Sequence, residues 1–208
     1  MFVMVRREGV LLTFHGGPSK CTSKLMQILA DYNVKAIIFV TGEAVAKNPT
    51  LATEIFRFGH LLCTNGFSNT TYRQLEIDGK TTEIERDIEL GTQSIIDITG
   101  LHHPCIRPPN IDYGEFTNKH MIESDFTIIG CNSLYNGSTF DSVSDSIEQN
   151  LASIENFQGT ILCWDLSAGD AEHSCENVQH LIRYLQLNNV ELLKPRQCFE
   201  YSIPPDNV

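Results

Sequence analysis

The sequence predicts an α/β fold built on a parallel sheet with helices outside it. Short apolar runs of strand length alternate with longer amphipathic stretches along nearly the whole chain, and that succession is the signature of β-α units. The 208 residues are 41% apolar and 20% charged, which suits one globular domain with a full core. No repeat, low-complexity tract or long linker divides them. Residues 1–208 therefore read as a single domain, with its core at about residues 10–200. Periodicity alone leaves a closed barrel and an open sheet as alternatives.

Each element has its own local reason. Val10 to Phe14 is an apolar run of strand length, and Ser19 to Tyr32 carries Leu25, Ile28 and Leu29 at helical spacing. Lys35 to Val40 reads as a buried strand. Pro49 introduces a helix over Thr50 to Phe58, because proline fits the first helical turn. His60 to Thr64 reads as the third strand. Thr81 to Thr99 reads as a long helix, with Ile84, Ile88, Ile95 and Ile98 on one face and Gly100 as its stop. Cys105-Ile106-Arg107 is a short strand ended by Pro108-Pro109. Further on come a helix over Phe116 to Glu123, a strand over Phe126 to Cys131 and a helix over Asp141 to Asn156. A strand over Thr160 to Trp164 and a helix over Glu176 to Leu187 complete the alternation, with a short apolar run from Val190 to Leu193 behind them.

Composition excludes some functions. The formal charge of −11 opposes phosphate-backbone binding, which needs clustered Lys and Arg, and it opposes an anionic membrane surface. A neutral partner such as a glycan is compatible with it. No stretch approaches the roughly 20 apolar residues that span a bilayer. The opening Met1-Phe2-Val3-Met4-Val5-Arg6-Arg7-Glu8 is too short and too charged to read as a secretory signal. The seven cysteines contain no CxxC spacing, so a structural zinc site has little support. Cys63, Cys131 and Cys163 lie in apolar strand-like runs and read as core thiols. Cys21, Cys175 and Cys198 lie nearer element ends, where a disulfide is an option.

Several motifs occur in order. Thr13-Phe14-His15-Gly16-Gly17-Pro18 is followed by Tyr32-Asn33-Val34-Lys35-Ala36 and Phe39-Val40-Thr41-Gly42-Glu43. Then come Gly59-His60, Ile98-Thr99-Gly100 with Arg107-Pro108-Pro109, and Gly159-Thr160-Ile161-Leu162. This succession resembles the polysaccharide deacetylases (the NodB-homology domain, carbohydrate esterase family 4), and in style the chitin deacetylases, over roughly residues 10 to 200. The resemblance implies a distorted (β/α) barrel with its site at the C-terminal ends of the strands, as in other such barrels. It also implies a metal-dependent hydrolase that removes acetyl groups from N-acetylglucosamine units.

The functional positions depart from that pattern. The family opens with Thr-Phe-Asp-Asp-Gly-Pro, the first Asp being the base and the second a metal ligand; here those places hold His15 and Gly16. The family's His-x-x-x-His ligands fall at Asn65 and Asn69, neutral amides in place of the imidazoles that zinc prefers. The family zinc or other divalent metal is therefore expected to be absent. Arg107 keeps the place of the arginine that holds the base. Tyr113-Gly114 is displaced from the family's oxyanion-hole segment, so Tyr113 takes no role there. The family's closing Leu-x-His-Asp, whose His is the acid, reads Leu162-Cys163-Trp164-Asp165. Trp164 cannot shuttle a proton. It reads as filling the pocket or, like Tyr113, as a glycan contact.

Outside the family positions, His102-His103 are neighbours that rarely point at one ion, Asp170, Glu172 and His173 read as a solvated acidic loop, and His60 as a packed histidine. With base, ligands and acid all replaced, the expected function is a catalytically silent deacetylase-like protein. It would serve as a glycan-binding or structural component of a chitinous wall, extracellular or at the cell surface by family resemblance. Its expected partner is chitin or N-acetylglucosamine oligomers. The alternatives are an active deacetylase with a non-standard site recruiting His15 or the Asp170–His173 loop, and a scaffold for a protein partner.

Overall fold

The computed structural model describes residues 8–136, 160–166 and 171–198. The chain runs through β1 (Val10–Gly17), α1 (Thr22–Asp31), β2 (Ile37–Val40), α2 (Gly42–Lys47), α3 (Pro49–Arg57) and β3 (Leu61–Thr64). It continues through α4 (Tyr72–Ile77), α5 (Thr81–Thr99), β4 (Cys105–Ile106), a 3-10 turn (Pro109–Ile111), α6 (Glu115–Glu123), β5 (Thr127–Ile128) and β6 (Ser133–Asn136). β7 (Thr160–Asp165), α7 (Ala171–Leu187) and α8 (Pro195–Cys198) follow. The expected helix over Asp141 to Asn156 lies outside the described residues.

Seven strands form one sheet in the order β5-β4-β3-β2-β1-β7-β6, and every neighbouring pair is parallel. That is the cyclic order of the chain with one break: among the described residues no ladder joins β5 to β6. The result is the distorted (β/α) barrel that the resemblance implied.

Strand alternation sorts side chains into two layers. Leu12, Phe14, Ile38, Val40, Leu62, Leu162 and Trp164 pack with α1, α3 and α7 in the layer between sheet and helices. Leu11, Ile37, Phe39, Leu61, Cys63, Cys105 and Ile161 share the opposite layer, joined by Leu193. The tail is fixed there because Val10 N–H donates to Glu191 O at 2.8 Å and Leu193 N–H donates to Val10 O at 2.8 Å. A third cluster, with Tyr72, Ile84, Ile88, Ile106 and Met121, fills the space among α4, α5, α6 and β4.

α5 matches its expected span, buries Ile84, Ile88 and Ile95, and stops at Gly100 in the left-handed conformation at φ 71°. β1 runs past the expected Phe14 to Gly17 because its pairing with β7 continues to His15↔Asp165. α1 starts later than expected, at Thr22, because the Thr22 hydroxyl accepts from Ser19 N–H at 2.9 Å and sets a turn first. One reading is overturned: Cys63 is not a free core thiol. It forms a disulfide with Cys105, Cα to Cα 5.2 Å, across the β3–β4 pair.

Candidate functional site

The site forms where β1 and β7 run side by side. Their register places His15 against Asp165 and Thr13 against Cys163, and the two-residue alternation turns Cys163 and Asp165 to the same side. His15 Nε2 lies 3.3 Å from Asp165 Oδ2, with the two side chains 14% and 18% exposed. Its other ring nitrogen, Nδ1, lies 3.0 Å from Cys163 Sγ. Both imidazole nitrogens are therefore engaged.

Arg107 follows β4, where its N–H continues the ladder to Thr64 O at 3.0 Å. Its side chain is fully buried. Nε donates to Ile129 O at 2.9 Å, Nη2 to Gly130 O at 2.7 Å and Nη1 to Cys163 Sγ at 2.8 Å. The guanidinium also lies 4.2 Å from the centroid of the Phe39 ring, a cation–π contact. Burial lowers the pKa of Arg107, while Cys163 and Cys131 oppose the shift. The arginine expected to sit beside His15 thus reaches it through the sulfur of Cys163. Cys131, next after the Gly130 that Arg107 holds, is half-buried, and its thiol is in hydrogen-bond contact with Cys163.

The neighbouring loop is firmly built. Asp87 of α5 accepts from Phe67 N–H at 2.9 Å, Ser68 N–H at 2.9 Å, the Ser68 hydroxyl at 2.7 Å and the Tyr72 hydroxyl at 2.8 Å. Gly66 has φ +80°, and a Cβ on Gly91 would come within 2.4 Å of its carbonyl carbon. Glycine at position 91 therefore lets α5 approach the loop backbone. Asn65 is 4% exposed, and its Nδ2 donates to Arg107 O at 2.6 Å.

This donor set does not fit the family's metal. Gly16 has no side chain and sits at φ +81°. The Asn65 amide is spent on a backbone carbonyl, and Asn69 lies exposed on the loop. Among the described residues no group of three His, Cys, Asp or Glu side chains is arranged to hold an ion.

Other expected site residues lie elsewhere. Trp164 is 2% exposed and packs in the helix-facing layer. Strand alternation turns it away from His15, so it neither fills the site nor faces a glycan. The side chains that β7 presents to His15 are Cys163 and Asp165. Tyr113 packs partly against the α4–α6 cluster, and burial raises its pKa. In its loop Asn110 and Ile111 both have positive φ, and Arg73 donates to Asp112 Oδ1 at 2.5 Å and to Tyr113 O at 2.6 Å. Glu172 and His173 belong to the first turn of α7 instead of a loop, and Asp170 lies outside the described residues.

The histidines diverge as expected. His103 Nδ1 lies 3.3 Å from Leu62 O, while His102 meets the Phe126 ring edge-on at 6.5 Å. His60 is buried and accepts from Ala36 N–H at 3.2 Å through Nδ1. Cys21 and Cys175 come together as thiols in contact.

Cys131 and Cys163 are the site members that the sequence reading placed in the core. The parity of β7 held the signal: with Trp164 turned to the helices, Cys163 and Asp165 must both face the other way. Cys163, His15 and Asp165 line up as thiol, imidazole and carboxylate. Cys163 is at 0% exposure, however, so an acyl substrate has no path to its sulfur. The arrangement can hold and move a proton between sulfur and ring nitrogen; it presents no nucleophile to an acyl substrate arriving from solvent.

The fold and these strand-end positions define a carbohydrate-esterase barrel with an altered centre. The polysaccharide deacetylase family profile matches residues 4–129, and the chain belongs to that family. It is 30% identical over 125 residues to the peptidoglycan-N-acetylglucosamine deacetylase of Bacillus cereus, an alignment covering 58% of this chain and 42% of that relative. It thus spans less than half of the relative's length. Among solved structures, the Bc1960 peptidoglycan N-acetylglucosamine deacetylase superposes with TM-score 0.82 at 22% identity, over 96% of this chain and 92% of that one. BA3943, a pseudoenzyme of carbohydrate esterase family 4 from Bacillus anthracis, superposes with TM-score 0.77 at 14% identity, over 93% and 66%. At these identities both structures bear on the fold alone.

Proposed function

We propose that this chain is a non-catalytic member of the polysaccharide deacetylase family that binds, or structurally supports, an N-acetylglucosamine-containing wall glycan of the chitin type. One observation carries the reading. All three ligand positions have lost their metal-binding side chains, and the residue at the base position has both ring nitrogens engaged within the protein. Family deacetylation relies on a metal to polarise the acetyl carbonyl, and these residues offer no cradle for one. Such a glycan is neutral or weakly charged, which suits a chain of charge −11. The Cys63–Cys105 bond supports an oxidising, extracellular setting.

The test pairs an activity assay with a binding assay. Acetate release from N-acetylglucosamine oligomers and from peptidoglycan is measured with and without added zinc or cobalt. Retention on insoluble chitin and peptidoglycan is measured by co-sedimentation. The reading expects retention without acetate release. Metal-dependent acetate release would overturn it in favour of an active enzyme. Absence of retention on either glycan would overturn the glycan-binding part. Trp164 fluorescence is a poor reporter here, because that indole is buried away from the site.

A further inference from the structure

The position where the family does its chemistry holds two thiols, a guanidinium, an imidazole and a carboxylate. Cys163 Sγ accepts from Arg107 Nη1 at 2.8 Å and lies 3.0 Å from His15 Nδ1, and His15 Nε2 lies 3.3 Å from Asp165. Cys131 contacts Cys163 and is the half-buried, solvent-reachable member of the pair. Its backbone is fixed from both sides. Arg107 holds Ile129 O and Gly130 O, while Asn132 N–H donates to Ile161 O at 2.8 Å and Asn132 Oδ1 accepts from Ile161 N–H at 2.7 Å. Among the described residues the polar partners of the buried guanidinium are two carbonyls and a thiol. A buried cation is best balanced by an anion, and the adjacent sulfurs can supply one.

We propose that Cys131 and Cys163 form a redox-active dithiol that exchanges with low-molecular-weight disulfides. The hydrogen bond from Cys163, with Arg107 and His15 nearby, pulls the Cys131 thiol down to about 6 against the opposing effect of burial. Burial pushes Cys163 up. The accessible sulfur is thus the one that ionises, and thiolate is the attacking species in exchange. In the first step the Cys131 thiolate attacks one sulfur of a disulfide RSSR. The S–S bond breaks, one RS⁻ leaves and takes a proton from water, and Cys131 carries a mixed disulfide. In the second step Cys163 passes its proton to His15 Nδ1, and its sulfur attacks Cys131 Sγ. The second RS⁻ leaves and takes the proton back from His15. The dithiol is oxidised by two electrons, and the small disulfide is reduced to its two thiols. Asp165 holds the imidazole through Nε2, so that Nδ1 faces the sulfur.

The test uses the folded chain with the Cys63–Cys105 bond intact. The protein is incubated with excess oxidised glutathione, quenched with iodoacetamide and mapped by mass spectrometry without reduction. The proposal expects a Cys131–Cys163 cross-linked peptide, with both glutathione halves released as thiol. Cys163→Ser is expected to stop after the first step, with glutathione held on Cys131. Cys131→Ser is expected to leave Cys163 free of adduct, because its sulfur is buried. His15→Ala is expected to slow ring closure by about a hundredfold, the scale of a lost proton acceptor, and to slow formation of the mixed disulfide far less. Circular dichroism checks that each variant folds, and the unmodified protein carries the decision if one does not. The buried Cys21–Cys175 thiol pair serves as an internal comparison. Recovery of both Cys131 and Cys163 as carbamidomethyl cysteine after oxidation would overturn the proposal. So would oxidation confined to Cys21 and Cys175.

Discussion

The side-chain amide of Asn65 donates to the backbone carbonyl of Arg107 at 2.6 Å, and the Asn65 side chain is almost wholly buried. A position that carries a metal ligand in the family here pins the strand end holding the arginine. Asn65→Leu removes the donor while keeping the volume, and leaves a buried carbonyl unpaired. We expect a loss of about 1–3 kcal/mol, read as a fall of about 2–4 °C in melting temperature per kcal/mol for a chain of this size. The Asn65→His/Asn69→His double variant is expected to gain no stoichiometric zinc on equilibrium dialysis, because Gly16 supplies no third ligand. Stoichiometric zinc uptake would contradict the assignment of the donor set.

Asp87 collects four donors from the loop and the start of α4, two of them backbone amides. Asp87→Ala strands the Ser68 amide and hydroxyl and the Tyr72 hydroxyl, while Phe67 N–H keeps the backbone carbonyl of residue 87 at 3.0 Å, and a loss of about 3 kcal/mol is expected on the scale of hydrogen bonds to a charged acceptor. Amide hydrogen exchange should quicken first at Ser68, whose acceptor is the lost carboxylate. Asp97→Ala on the same helix removes only an exposed bond from Gln93 and is expected to change stability by under about 0.5 kcal/mol. Equal effects at positions 87 and 97 would refute the role given to Asp87.

The sequence exposed those parts of this molecule whose physics is local. α5 was legible because nineteen residues give the helical period room to repeat and Gly100 marks the stop. α2 and α4, six residues each, and the four-residue β6 are too short for periodicity to register. α2 is instead set by the Thr41 hydroxyl, which accepts from Ala44 N–H at 3.3 Å. The barrel's order and the loss of metal-binding side chains followed from the motif succession, since each motif names its position. What occupies the site did not. Cys131 and Cys163 meet only through the tertiary course of the chain around Arg107, and apolar neighbours in sequence disguised them as core. Trp164 and Asp165 show the same limit. Adjacent residues on a strand face opposite ways, so a one-residue difference in which of them faces His15 reverses their roles.

His60 gives the protein an acid limit. Burial, with Lys35 adding repulsion, lowers its pKa from 6.5 to about 3. The folded state therefore binds fewer protons than the unfolded chain between these values, and unfolding takes up a proton there. Stability from this group is fully present above the unfolded value of 6.5 and drains as pH falls toward 3. The slope is at most about 1.4 kcal/mol per pH unit. His103, whose pKa burial also lowers, acts in the same direction. His60→Asn keeps an acceptor near Nδ1 for Ala36 N–H but does not titrate. Urea melts from pH 7 to pH 4 should show a shallower loss for this variant than for the parent, by about 2 kcal/mol at pH 5. Parallel curves would mean that His60 is protonated in the folded protein.

The Cys63–Cys105 bond closes a segment of sequence separation 42 that contains the Asn65 loop, α4 and α5. In the chain-entropy account a loop of that size stabilises by about 4 kcal/mol, mainly by restricting the unfolded chain. The native segment is already tied in place by Asp87 and by the Asn65–Arg107 bond. Removing the crosslink should therefore lower stability without loosening the loop. We expect Cys63→Ala/Cys105→Ala to unfold at clearly lower urea, with hydrogen-exchange protection at Phe67 and Ser68 falling only as far as global stability falls. Loss of protection at these amides well beyond the global change would show that the bond, and not Asp87, holds the loop.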